Sequence, residues 1–271
     1  MASRRTMLLL VFSGLAMAVI VSSSSSAMAQ QLDVGFYSKT CPKVEEIVRE
    51  EMIRILAAAP TLAGPLLRLH FHDCFVRSKG PYWAVQLGRR DGRISIANET
   101  KQLPPPTANI TQLIQMFTAK GLDLKDLVVL SGGHTLGTAH CSAFSDRLYN
   151  FTGADNAGDV DPALDRSYLS RLRSRCVSLD DNTTLAEMDP GSFLAFDASY
   201  YRLVAKRRGL FHSDSSLLAD AFTASYVLRQ ATGLYAAEFF KDFAESMVKM
   251  GAVGVLTGGQ GEIRKKCYVI N

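Results

Sequence analysis

The chain has 271 residues, 30 of them basic and 26 acidic, with a formal charge of +4, and 47% of its residues are hydrophobic. This length and apolar content are sufficient for one domain with a substantial core. The basic residues are scattered, and no recognition module surrounds Lys206-Arg207-Arg208 or Lys265-Lys266, so a nucleic-acid partner is excluded.

Residues 1–29 have the pattern of a secretory signal peptide. Two arginines precede the apolar run 7–20, and Ala27-Met28-Ala29 has the small-x-small form of a cleavage site. A retained membrane anchor is the alternative, although the run is short for a span. Cleavage after Ala29 leaves residues 30–271 as a secreted product with no membrane contact. We expect it in the extracellular space, and the cell wall and the vacuole are alternative locations. Four sequons predict a glycosylated surface: Asn98, Asn109, Asn150 and Asn182.

Helical periodicity dominates the rest of the chain. Apolar residues of segment 44–56 form one stripe opposite charged residues, which predicts an amphipathic helix. Gly132-Gly133 is expected to end a helix just before His134. Further helices are predicted over 62–76, 111–119, 124–130, 167–176, 199–208, 219–232 and 236–250.

Strand signals are poor. Only segments 84–87 and 268–270 are candidates, and both are short enough for no more than small ribbons. We find no internal repeat and no linker that would mark a second domain. The sequence therefore predicts one all-α domain with at most small β ribbons.

Two histidine neighbourhoods carry the chemistry. Arg68 and His72 are four residues apart in a predicted helix, so both side chains leave one face, and Phe71 lies nearly beside them. Such a group suits peroxide, because His72 can take a proton from one oxygen and return it to the leaving oxygen while Arg68 stabilises the developing charge. The second neighbourhood, 130–135, contains His134, whose imidazole could ligate an iron macrocycle from the other side.

A metal-hydrolase interpretation of His70, His72 and Asp73 is the alternative. Positions two apart on a helix diverge by roughly 200° and do not easily share one ion, and no strand signal precedes them. Zinc without iron in a metal analysis would favour this alternative. His140 and His212 have no partner pattern, and we expect structural roles for them.

Both histidine segments, in this order, resemble the distal and proximal sites of the secreted haem peroxidases of plants, the class III family. The resemblance covers almost the whole processed chain. Its other motifs are Phe36-Tyr37 with Thr40-Cys41-Pro42, Gly80-Pro81-Tyr82-Trp83, Leu87-Gly88-Arg89-Arg90-Asp91, Leu103-Pro104-Pro105-Pro106, Phe196-Asp197-Ala198-Ser199-Tyr200-Tyr201, Gly209-Leu210 with Ser213-Asp214, and Gly261-Glu262-Ile263-Arg264 with Cys267.

The resemblance implies a haem-peroxidase fold and a role for each motif. His72 would be the proton acceptor and donor, Arg68 the transition-state stabiliser, and His134 the axial iron ligand. Asp214 would accept the outer N–H of that imidazole. Haem b is expected to be held non-covalently, since no Cys-x-x-Cys-His motif occurs. Such an enzyme, expected as a monomer, reduces hydrogen peroxide and oxidises small phenols, which would contact Pro104, by one-electron steps.

The resemblance also implies two calcium sites, since calcium prefers six to eight oxygen ligands. The proximal ligands would be Thr135, Asp189, Ser192 and Asp197, completed by backbone carbonyls such as that of Ala195. The distal site keeps Asp73 and the carbonyl of Val76, but its other ligands lie in a block that this chain lacks. We therefore expect the distal calcium site to be broken.

That block is absent between Val76 and Gly80, where the resembling enzymes have a Gly-Cys-Asp-x-Ser run, then two further helices and two more cysteines. Five cysteines remain, an odd number for a secreted chain. By the resemblance Cys141 pairs with Cys176, and the partners of Cys41, Cys74 and Cys267 lie in the absent block, as does an asparagine that orients the distal histidine. The domain would lack part of its distal half. A second hypothesis is therefore an inactive or poorly folded isoform without turnover.

Overall fold

A computed structural model describes residues 32–64, 83–94, 96–266 and 268–271. Within them the α-helices are α1 (Val44–Ala58), α2 (Ile110–Thr118), α3 (Leu124–Ser131), α4 (Asp146–Tyr149), α5 (Arg166–Arg175), α6 (Ser199–Ala205), α7 (His212–Ser216), α8 (Ala221–Ala231) and α9 (Ala236–Gly251). Short 3-10 helices cover Pro60–Leu62, Ala97–Gln102, Gly132–Thr135 and Cys141–Ala143. The two strands are β1 (Thr138–His140) and β2 (Leu185–Glu187). The predicted all-α class with small ribbons is confirmed.

Local side-chain bonds explain where several helices begin. Asn109 and Gln112 form a capping box at the start of α2, and Asp123 and Asp126 form another at the start of α3. Each box satisfies two backbone N–H groups that would otherwise be unpaired. Asp220 caps α8 by accepting from the backbone N–H groups of its first turn. These caps hold the starts of helices that frame the interior.

The main core lies among α3, α6, α8 and α9. Phe196, Tyr201, Phe239 and Phe243 are at most 1% exposed, and their rings meet at centroid distances of 4.7–5.7 Å, mostly edge to face. A second, smaller core surrounds the disulfide between Cys141 and Cys176, whose Cα atoms are 5.6 Å apart. The predicted pairing of these two cysteines is confirmed.

The predicted helices over 44–56, 111–119, 124–130, 167–176, 199–208, 219–232 and 236–250 are all present, with ends shifted by a few residues. Most of the helix predicted over 62–76 lies outside the described residues. The ribbon prediction was wrong in position: segments 84–87 and 268–270 contribute only isolated bridges, at Leu87 and Val269. The antiparallel ribbon pairs β1 with β2, and its short strands give no alternating pattern.

The amino-terminal helix leaves part of its apolar stripe uncovered. Met52 and Leu56 of α1 are buried, whereas Ile47 and Val48 are 55% and 40% exposed. Among the cysteines that the structure describes, Cys41 is unpaired and exposed. None of the described helices has the length and hydropathy of a membrane span.

Candidate functional site

His134 is positioned by the end of α3. This helix stops at Ser131, and the 3-10 helix Gly132–Thr135 carries the imidazole away from the core. A Cβ atom at Gly132 would lie 2.5 Å from the Tyr201 hydroxyl and 2.6 Å from the Phe239 ring, so only glycine permits this packing. The close approach fixes the backbone from which His134 projects.

His134 contacts a carboxylate 80 residues further along the chain. Its Nδ1 lies 2.8 Å from Oδ1 of Asp214, whose side chain is 2% exposed while that of His134 is 35% exposed. The same Oδ1 accepts a hydrogen bond from the Tyr200 hydroxyl at 2.8 Å, and Oδ2 accepts one from the backbone N–H of Phe211 at 2.8 Å. The carboxylate is thus fixed by three donors.

The electrostatics favour an ionised Asp214. Burial would raise the pKa of this carboxyl, but His134 and the hydrogen bonds from Phe211 and Tyr200 outweigh burial, and its pKa is lowered. Burial, together with the neighbouring Asp214 carboxylate, holds the pKa of Tyr200 well above its usual value. Tyr200 therefore remains a hydrogen-bond donor to a charged acceptor.

This geometry suits a metal-ligating imidazole. Because Nδ1 is hydrogen-bonded to Asp214, Nε2 is the nitrogen that remains for an iron ion. The carboxylate also fixes the orientation of the ring and increases its electron density. The rings of Phe211 and Tyr200 pack against the imidazole at centroid distances of 5.0 and 6.0 Å. The donor chemistry on this side therefore fits haem.

Oxygen atoms cluster directly behind His134. The Thr135 hydroxyl lies 3.0 Å from Asp189 Oδ2, 3.4 Å from Asp197 Oδ1 and 3.5 Å from the carbonyl of Ala195. The hydroxyls of Ser192 and Ser199 also donate to these carboxylates. The structure therefore brings together the predicted proximal set, and Ser199 is an additional member that the sequence analysis did not include.

The oxygen cluster fits a hard cation. Burial, reinforced by the nearby Asp197 carboxylate, raises the pKa of Asp189 although two hydroxyls donate to it. Two carboxylates in a partly buried site repel each other unless a cation or proton lies between them. Within the described residues no group of three or more His, Cys, Asp or Glu is arranged to hold a metal ion, so hydroxyl and carbonyl oxygens would complete the coordination here.

The Pro104 segment lies beside α7, the helix that carries Asp214. Pro104 is exposed, and two residues later the carbonyl of Pro106 accepts a hydrogen bond from Ser213 N–H at 2.9 Å. The Ser216 hydroxyl donates to the carbonyl of Ala108 at 3.3 Å. The proline segment is thereby anchored near the His134–Asp214 pair.

A buried ion pair that no sequence pattern predicts lies beside α7. The Arg147 guanidinium is 1% exposed and donates to Asp161, to the carbonyls of Gly209 and Leu210, and to the Ser215 hydroxyl, all at 2.7–2.8 Å. His212 Nδ1 lies 3.2 Å from the same Asp161 oxygen. No local pattern marks this network, because its members come from three separate segments.

The other half of the predicted site falls outside the described residues. These positions are Arg68, Phe71, His72, Asp73 and Val76. Cys74 and Cys267, predicted to be unpaired, and His70, from the hydrolase alternative, are outside them too. His140 is exposed in β1.

Comparisons with known proteins agree on one family. A family model described as Peroxidase matches residues 76–233. Peroxidase 1 of Oryza sativa subsp. japonica is 55% identical and aligns over 100% of both chains. Peroxidase 27 of Arabidopsis thaliana is 45% identical over 91% of this chain and 94% of its own length, and Peroxidase 3 of the same plant is 43% identical over 89% and 92%.

The rice alignment also reveals a length difference. It runs over 334 positions, whereas this chain has 271 residues, so at least 63 positions (334 less 271) have no residue of this chain opposite them.

Proposed function

The chain belongs to the plant peroxidase family and is a peroxidase, and from this premise we propose a secreted enzyme that binds haem through His134, reduces hydrogen peroxide and oxidises small phenols. The observation that carries the proposal is the 2.8 Å bond between His134 Nδ1 and the buried Asp214 carboxylate. When bound, haem supplies the iron that takes two oxidising equivalents from peroxide and returns them singly to donors.

The proximal residues hold and orient the ligand. Asp214 would accept a hydrogen bond from the Nδ1–H of His134, which leaves Nε2 as the nitrogen that faces the metal. The phenyl ring of Phe211 limits rotation of the imidazole, since the two rings are 5.0 Å apart. This arrangement makes the imidazole a fixed, electron-rich ligand.

The distal histidine would transfer a proton from one oxygen of peroxide to the other. His72 takes a proton from the peroxide oxygen nearer the iron and gives it to the departing oxygen, which leaves as water. Arg68 stabilises the negative charge on the departing oxygen, and Phe71 lies beside this pair on the predicted helix. The four-residue spacing of Arg68 and His72 supports these roles.

Phenolic donors would approach along the Pro104 segment. Its exposure and its anchoring to α7 through Ser213 support a contact surface close to the haem edge. Loose recognition is sufficient, because each donor gives up one electron and leaves as a radical.

Calcium would occupy the oxygen cluster of Thr135, Asp189, Ser192 and Asp197. Since Thr135 directly follows His134, the ion would also steady the proximal backbone. Removal of calcium with a chelator is expected to lower the Tm, and the Asp197→Asn variant should lose most of this response. An equal response in both proteins would contradict the assignment. By its sequence, the distal site at Asp73 and Val76 would remain broken.

Secretion is supported by the pattern of residues 1–29. Amino-terminal sequencing of the product secreted from plant cells should start at or near Gln30. A product that begins at Met1 would favour the retained anchor.

The central test is turnover. The chain 30–271, supplied with haem and calcium, should oxidise guaiacol with hydrogen peroxide, and His72→Ala should reduce kcat by about 10²–10⁴-fold. His140→Ala removes an exposed histidine and is the matched control, expected to match the parent. Equal turnover by the parent and His72→Ala would contradict the role of His72.

A form that binds haem poorly or lacks turnover is the alternative. The unpaired Cys41, the exposed Ile47 and the alignment length difference favour it. An absorption spectrum distinguishes the two: a stable histidine-ligated Soret band that shifts on adding peroxide supports the enzyme. A chain that stays colourless with hemin supports the alternative.

A further inference from the structure

Tyr200 shares the oxygen atom that holds the candidate iron ligand. Its hydroxyl and the Nδ1 of His134 both lie 2.8 Å from Oδ1 of Asp214. Tyr200 and Asp214 are 1% and 2% exposed, so water does not compete for this oxygen. Two donors therefore divide the charge of a single carboxylate oxygen.

We infer that Tyr200 is a positioning residue that limits how strongly Asp214 draws the proton of His134, and thereby sets the electron-donating strength of the imidazole. The inference rests on the proposed function and deepens it. A second donor on Oδ1 withdraws negative charge from that oxygen. Its removal shifts the shared proton toward the carboxylate and gives the imidazole more anionic character, which stabilises ferric over ferrous iron.

A tyrosine of α8 provides a matched control. Tyr226 is 8% exposed and donates its hydroxyl to Oδ2 of the buried Asp242 at 2.9 Å rather than to Asp214. Tyr200→Phe and Tyr226→Phe thus each remove one buried phenolic hydroxyl that donates to a carboxylate. Only Tyr200→Phe changes the carboxylate that holds His134.

The test compares the haem-loaded parent with both variants. Tyr200→Phe should raise the frequency of the ferrous iron–imidazole stretch in resonance Raman spectra. It should also increase the preference for ferric iron by about tenfold, a negative shift of about 59 mV for a one-electron couple. Tyr226→Phe should leave both values at those of the parent. Unchanged values in Tyr200→Phe, or equal shifts in both variants, would overturn the inference.

A second pair of measurements covers failure of folding or of haem binding. Fluorotyrosine at position 200 keeps the shape of the side chain and is a stronger donor, so the stretch should move to lower frequency and the potential upward. If the parent binds no haem, the proposed function fails by itself. The His134 Nδ1–H resonance of the full chain then tests the inference: it should move downfield in Tyr200→Phe and stay in place in Tyr226→Phe, and no movement would refute it.

Discussion

At the scale of single residues, buried polar groups are matched closely to their partners. Arg147 makes four hydrogen bonds in a site from which water is excluded, and two of its acceptors, the carbonyls of Gly209 and Leu210, immediately precede Phe211. The guanidinium thus ties α4 to the segment that presents Asp214. A charge buried to this extent is tolerated only because each donor has an acceptor.

Removing Arg147 should therefore be costly. Arg147→Met leaves the Asp161 carboxylate buried without its main cation, so we expect a loss of about 3–5 kcal/mol in the free energy of unfolding. Arg147→Met combined with Asp161→Leu should cost less than the sum of the single changes, because no charge remains unpaired. Urea titration measures each value. A loss below about 1 kcal/mol in Arg147→Met would contradict the role given to this pair.

The same pair predicts a pH dependence. Burial would raise the pKa of Asp161, but the bonds from His212 and Arg147 prevail and hold its pKa at about 2, below the usual 3.8. Since the folded pKa lies below the unfolded one, the stabilisation is present above about pH 4 and is lost as pH falls toward 2, a change of about 2 kcal/mol.

Unfolding measured from pH 5 to pH 2 checks this sign. The free energy of unfolding should fall less steeply in Asp161→Asn than in the parent, because the amide does not titrate. Parallel curves for the two proteins would show that Asp161 has an ordinary pKa.

At the scale of elements, the junction between α3 and the 3-10 helix Gly132–Thr135 determines where His134 lies. The capping box of Asp123 and Asp126 fixes the start of α3, and Asp126 also accepts hydrogen bonds from Ser246 and Lys249 of α9. Gly132 fixes its end through the close approach to Tyr201 and Phe239. The imidazole is therefore held by helix packing at both ends of α3.

Gly132→Ala should disturb both stability and the site. The added methyl group would lie 2.5 Å from the Tyr201 hydroxyl, so the backbone must shift, at a cost of about 1–3 kcal/mol. The haem affinity should fall with it. Gly259→Ala is the matched control, because no atom lies within 4 Å of its Cβ position. Urea titration and hemin titration measure the two effects, and equal behaviour of both variants would refute the packing argument.

At the scale of the whole molecule, the disulfide joins the segment after β1 to the end of α5. Cys141 and Cys176 are 35 positions apart and both are fully buried. The crosslink supports the smaller core, which contains Leu210 and Phe211 beside the candidate iron ligand. It thereby links the overall stability of this half to the proximal side of the site.

Replacing both cysteines by alanine should lower the free energy of unfolding by about 3–4 kcal/mol, because a loop of this length gains conformational freedom in the unfolded chain. Cys41→Ala, which removes an unpaired and exposed thiol, should change it by less than about 0.5 kcal/mol, as is usual for surface positions. Thermal unfolding under non-reducing conditions measures both. A similar small effect for the two replacements would contradict the structural role of the crosslink.

Much of the secondary structure could be predicted because it depends on local sequence patterns. The apolar stripe of α1 and the polar residues that begin α2 and α3 act within a few positions, so the sequence alone indicates these helices. The shortest elements were missed for the same reason: α4 and α7 have four and five residues, too few for a helical period to be visible.

The peroxidase class could be anticipated from residue types, since the spacing of Arg68 and His72 and the pattern around His134 involve only nearby positions. The roles of Arg68 and His72 stay predictions. The pairing of residues distant in the chain depended on folding. Asp214 contacts His134 across 80 positions, Tyr200 contacts both of them from α6, and Arg147 has its partners in two other segments. Such contacts are selected by packing and by the need to satisfy buried polar groups, and only the folded chain brings those constraints together.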